Sequence, residues 1–116
     1  MAGLGLYAHL KGMYKKAAEI FDLAIEMHPA DLTPFQAGAA AWVAAGDPSR
    51  AIHNLEAAIE ADPADETSYT MLAEIYGGQG NAREQIRVVD RYLAFRPQSI
   101  EFRLRRRAME TGPASR

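Results

Sequence analysis

The sequence of 116 residues contains no cysteine. It can therefore build neither a disulfide framework nor a metal or redox site based on thiolates. That absence suits a reducing compartment, and a cytoplasmic location is the expectation. No apolar run approaches the roughly 20 residues needed to span a bilayer. The opening stretch, Met1-Ala2-Gly3-Leu4-Gly5-Leu6, has neither the basic start nor the long apolar centre of a secretory signal. A strong charge of one sign is missing as well. The net charge of -2 exerts no general pull on nucleic acid or an anionic membrane, so neither is expected as a partner. Nor does any stretch alternate as a half-buried strand would.

What the chain does have is helical periodicity. Ala17, Ile20, Phe21, Ala24 and Ile25 form an apolar stripe with steps of three and four residues, and Ala51, Ile52, Leu55, Ala58 and Ile59 repeat it 34 residues later. Ile86, Val89, Tyr92 and Leu93 echo it more loosely. The breaks keep the same step: Pro29, Pro63 and Pro97 are 34 residues apart, as are Gly12, Gly46 and Gly80. Asp47-Pro48 reads as an N-cap with proline in the first turn, and Asn81 with Glu84 as a capping box. Asp31 and Asp65 are candidate caps, and Gly46 and Gly80 suit helix ends in the left-handed region. The pattern predicts helices over 2–11, 14–27, 32–45, 48–61, 66–78, 82–95 and 98–111, with consecutive helices antiparallel. The last residues, 112–116, are expected to be a disordered tail.

A fixed 34-residue step shared by prolines and glycines marks stacked helical hairpins, and the filled positions resemble the tetratricopeptide repeat. The first unit supplies Leu4-Gly5, Gly12, Tyr14, Ala17, Phe21, Ala24 and Pro29. The second supplies Phe35, Ala39, Trp42, Gly46, Ala51, Leu55, Ala58 and Pro63. The third supplies Tyr69, Leu72-Ala73, Tyr76, Gly80, Val89 and Pro97. The resemblance covers residues 2–97. It implies an all-α fold, a right-handed α-solenoid of three hairpins (repeats 1–31, 32–65 and 66–97) with a capping helix over 98–111, together forming one domain over 1–111. Three departures stand out. Gln85 and Tyr92 replace alanine, which makes the joint with the last helix atypical. Gly38 replaces leucine, at a cost of about 1 kcal/mol for a glycine inside a helix.

The resemblance also implies a protein or peptide partner held on the concave face, without catalysis and without a cofactor. With Phe35, Gly38, Ala39 and Trp42 packing inward, the free stripe of the second unit is Thr33, Gln36, Ala40 and Val43, with Ala37 and Ala44 beside it. In the third unit it is Thr67, Thr70, Glu74 and Gly77, with Met71 and Gly78 flanking. In the first it is Ala2, Leu6, His9 and Leu10. This nearly uncharged lining fits an apolar peptide or helix. The carboxylate clamp of chaperone-binding members of the family needs Lys, Asn and Arg where this chain has Ala2, Leu6, Ala37, Thr67 and Met71, so that reading is rejected.

A second resemblance, through Phe35, Ala39, Ala51-Ile52-His53 and Ala73-Glu74, is to the translocator chaperones of type III secretion. A structural role is a third expectation: Leu4, Leu6 and Tyr7 leave an apolar N-terminal end, which predicts self-association there. Arg103, Arg105, Arg106 and Arg107 are a candidate contact for an acidic partner, or a solvated face opposite Phe102 and Leu104. His9, His28 and His53 share no ligand spacing, so no metal site is expected. No P-loop or nucleophile motif is present. Tyr7, Tyr14, Trp42, Tyr69, Tyr76 and Tyr92 are expected in the core.

Overall fold

The computed structural model describes the backbone of residues 2–110 and the side chains from His9 to Glu110. The side chains of Ala2, Leu4, Leu6 and Tyr7 and the tail over 112–116 lie outside the described residues. Among the described residues six helices are formed: α1 (Ala2–Met27), α2 (Thr33–Ala44), α3 (Pro48–Ala61), α4 (Glu66–Gly78), α5 (Ala82–Phe95) and α6 (Ile100–Glu110). There is no strand among the described residues, and the all-α helical-repeat fold is what the sequence predicted. The chain divides into two compact units, Met1–Ala61 with α1 to α3 and Asp62–Arg116 with α4 to α6.

The periodic prolines have one local job. Each occupies the second position of a tight turn, where its fixed φ is favourable. The amide of Asp31 donates to the His28 carbonyl at 3.1 Å, that of Asp65 to Asp62 at 3.1 Å, and that of Ser99 to Arg96 at 3.2 Å. The residue closing each turn then helps to start the next helix. Asp31 accepts from the Thr33 amide at 3.0 Å, Asp65 from the Ser68 hydroxyl at 2.6 Å, and the Ser99 hydroxyl from the Phe102 amide at 3.3 Å. Leu32, not Asp31, holds the N-cap position of α2. The last helix starts two residues later than predicted, at Ile100.

The periodic glycines act inside the hairpins. Gly46 and Gly80 have φ of 88° and 72°, the left-handed region that a Cβ disfavours. Around Gly46, Asp47 donates to the Trp42 carbonyl at 2.8 Å and Gly46 to that of Val43 at 3.0 Å; around Gly80, Asn81 donates to Tyr76 at 2.9 Å and Gly80 to Gly77 at 3.1 Å. These are two copies of one Schellman closure. The same Asp47 and Asn81 then cap the following helix, accepting from the amides of Arg50 at 3.2 Å and Glu84 at 3.3 Å. Only this half of the expected capping box forms. The Asn81 amide is already committed to Tyr76, and the Glu84 carboxylate pairs with Arg87 at 3.3 Å.

The first unit departs from the predicted pattern. No hairpin opens at Gly12; α1 is a single helix of 26 residues. The residue after each turning glycine explains this. Asp47 and Asn81 carry the oxygen that caps the next helix, but Met13 stands in their place and has no acceptor to offer. Without a cap the helix simply continues.

In the Met1–Ala61 unit, α2 packs between α1 and α3 around Ala18, Phe35, Ala39, Trp42, Ala51, Leu55, Ala58 and Ile59, all buried. Gly38 is a contact point and not only a helix weakness. A Cβ there would come within 3.1 Å of both Phe21 Cβ and Asn54 Nδ2. Ile20 and Tyr14, expected to pack, are 67% and 44% exposed. Ile20 lies on the side of α1 that a folded-back hairpin partner would have covered. In the Asp62–Arg116 unit, α5 packs against α4 and α6 around Tyr69, Leu72, Ala73, Val88, Val89, Tyr92 and Phe102.

Candidate functional site

The free stripe of α2 follows from its packing face. Phe35, Gly38, Ala39 and Trp42 are buried; Thr33, Ala40 and Val43 are exposed and Gln36 is half-buried. None of these four carries a charge. Its counterpart in the other unit is on α4, where Ser68, Tyr69, Leu72 and Ala73 are buried, Thr67 and Glu74 are exposed, and Thr70 and Met71 are half-buried. His9 and Leu10 are exposed on α1, on a helix that is continuous there. Leu6 lies outside the described side chains. Thr33, Gln36, Ala40 and Val43 share one side of α2, and Thr67, Thr70, Met71 and Glu74 lie on α4; His9 and Leu10 are on a different helix, α1.

A polar cluster escaped the sequence reading. The Asp22 carboxylate on α1 accepts from the Trp42 indole N–H at 3.2 Å and from Asn54 Nδ2 at 3.1 Å. The guanidinium of Arg50 lies 4.7 Å from the Trp42 ring centroid, within reach of a cation–π attraction. One signal was available. Asn54 is a polar residue at the stripe position where the neighbouring repeats have Ile20 and Val88.

In the second unit three rings pack in sequence, each tilted to the next: Tyr69 to Tyr92 at 4.9 Å between centroids, and Tyr92 to Phe102 at 4.3 Å. This is the atypical joint predicted for Tyr92. The Tyr69 hydroxyl donates to the Pro63 carbonyl at 2.9 Å and that of Tyr92 to Glu66 at 3.3 Å. Burial first, and the Glu66 carboxylate second, push the Tyr92 phenol above its ordinary pKa. An open hollow of about 440 Å³ beside these groups is lined by Ala64, Glu66, Tyr92, Arg96, Gln98 and Ser99.

The arginines of α6 are not a uniform outward face. Arg106 pairs with Asp90 at 2.9 Å and with Glu110 at 3.2 Å. Arg105 pairs with Glu101 at 3.3 Å and lies 5.7 Å from the Phe102 centroid; its buried Nε makes no hydrogen bond. Phe102 is buried as expected, but Leu104, expected to face inward, is 60% exposed. With Leu93, Ile100, Arg103 and Arg107 it lines an open hollow of about 570 Å³. The cause is geometric. The side of α6 that carries Ile100 and Leu104 is turned away from the Tyr92 contact made by Phe102.

His9, His28 and His53 are each exposed, on α1, in the first proline turn and on α3. Among the described residues no group of three His, Cys, Asp or Glu side chains could hold a metal ion, and no helix is long and apolar enough to cross a membrane.

A family model described as tetratricopeptide repeat matches residues 43–107, more than half of the chain. No curated protein is similar enough to match.

Proposed function

Because the chain belongs to the tetratricopeptide repeat family, whose repeats serve as protein–protein interaction modules and are generally non-catalytic, we propose that it binds a partner peptide or helix through the free stripe of α2 in the Met1–Ala61 unit, with the free stripe of α4 a separate candidate surface in the other unit. The contact residues are Thr33, Gln36, Ala40 and Val43 on one helix and Thr67, Thr70, Met71 and Glu74 on the other. The observation that carries this reading is the division of α2 into two faces. Its large side chains are spent on packing, and Val43 stands 44% exposed among small uncharged neighbours. Such a surface gains from desolvation when an apolar segment covers it and loses no ionic solvation in exchange.

The test is capture of partners from the native host, followed by mass spectrometry, with wild type, Val43→Glu and Met71→Glu as baits. The expected result is loss of the partner from Val43→Glu while helicity and melting temperature stay near wild type; loss from Met71→Glu would assign a contact to the α4 stripe of the other unit as well. A partner retained by both variants moves the site to the arginine-bearing helix α6 or to another face.

A further inference from the structure

Ile20 is 67% exposed, whereas Asn54 and Val88, at the same position of the next two repeats, are 7% and 1% exposed. The difference lies in what covers them. Asn54 sits beneath α2 at Gly38, where an added Cβ would be 3.1 Å from its Nδ2. Val88 is on α5, which packs against α4. By the repeat register, the segment that would cover Ile20 is residues 2–11. That segment does not fold back but runs on along the axis of α1.

Two consequences meet on α1. First, Leu10, Met13, Ala17, Ile20, Ala24 and Met27 recur at alternating steps of three and four residues, the spacing of a helix–helix seam. Four of them, Leu10, Met13, Ile20 and Met27, are exposed. Second, α1 outruns its neighbour. The Lys11 side chain lies against Gly46, just past the end of α2, so the helix before Lys11 continues beyond it. Residues 2–10 of that extension contain no Asp, Glu, Lys or Arg.

We propose that two copies of this chain pair through α1 in antiparallel fashion, residues 2–11 of each copy covering Ala17, Ile20 and Ala24 of the other. The pairing restores between copies the hairpin contact that the second and third repeats make within one copy, an exchange of identical elements. The register follows from the intact repeats. Position 4 corresponds to Gly38 one repeat earlier, so the repeat register sets it opposite position 20 of the partner copy, and the two-fold axis passes beside Gly12. Nothing stands within 4 Å of a Cβ placed on Gly12, which leaves the room a second helix needs. The overlap of residues 2–22 with their copy is about 30 Å long. The uncharged extension adds no desolvated ion to that seam.

The absence of native cysteine allows a direct test. A chain carrying Leu4→Cys is mixed with one carrying Ile20→Cys and oxidised. The expected product is a disulfide-linked heterodimer, and the double variant should run as a covalent dimer. A double variant that closes on itself as a monomer, or a mixture that forms no bridge, overturns the proposal. Light scattering on the uncross-linked chain provides the second measurement. Wild type should be dimeric, and Ile20→Glu should weaken the dimer by about 100-fold or more through an unpaired charge in an apolar seam. Met13→Asp should give a folded monomer, because it supplies the cap found at Asp47 and Asn81 and lets α1 fold back at Gly12. A monomeric wild type, or a Met13→Asp chain as dimeric as wild type, overturns the proposal.

Discussion

The carboxylate of Asp22 on α1 holds the indole N–H of Trp42 on α2 at 3.2 Å, and the same carboxylate accepts from Asn54 on α3 at 3.1 Å. One side chain thus ties together all three helices of its unit. Asp22→Ala would leave a buried indole donor and a buried amide unsatisfied. The expected loss is about 2 kcal/mol, larger than for Asp22→Asn, which keeps an accepting oxygen. Denaturant titration followed by the fluorescence of the single tryptophan measures both.

The two kinds of glycine in α4 and its closure should respond in opposite directions. Gly80 has φ of 72°, so Gly80→Ala should destabilise by about 1 kcal/mol or more. Gly78 is the last residue of α4, and nothing would meet its Cβ within 4 Å. Gly78→Ala should therefore stabilise by about 0.5–1 kcal/mol. Thermal melts of the two variants give the signs directly.

Phe102 joins α6 to the rest of its unit, being fully buried and 4.3 Å from the Tyr92 ring centroid. Phe102→Ala should cost about 3–4 kcal/mol and free α6 before the rest of the unit melts. Hydrogen exchange resolved by segment should show protection lost first over Ile100–Glu110.

The Tyr92 phenol, buried against Glu66, holds its proton more tightly in the folded state than in the unfolded chain. Its contribution is complete below the unfolded value of about 10 and fades as pH rises through the folded value. Wild type should lose stability more steeply than Tyr92→Phe across this alkaline range. Denaturation midpoints taken on either side of about pH 10 check the sign.

The helices α3, α4 and α5 were legible to the residue because their ends are marked by side chains that act locally: Asp47-Pro48, Asp65 and Asn81 at the starts, Gly80 and the proline turns at the stops. The first unit was misread for an equally local reason. Gly12 matches Gly46 and Gly80, but a turning glycine without a cap after it does not end a helix, and Met13 cannot cap. The Asp22 cluster was hidden for a different reason. Its three members come from three helices, and a stripe-by-stripe reading sees each helix separately. Even so, Asn54 in an apolar slot was a visible anomaly. The buried faces of α2 and α4 were legible from Phe35, Ala39 and Trp42 and from Tyr69, Leu72 and Ala73, which recur at helical steps.

The double duty of Asp47 and Asn81 also has a mechanical consequence. Each closes one helix with its amide and opens the next with its side chain, so the connector holds no spare chain. A pull on the ends of either hairpin finds no loop to straighten and is felt at once by the first hydrogen bonds of both helices. Such a joint yields by peeling helix turns rather than by stretching. An insertion placed there would detach two helix ends together, whereas the proline turns could take up an added residue at the expense of one.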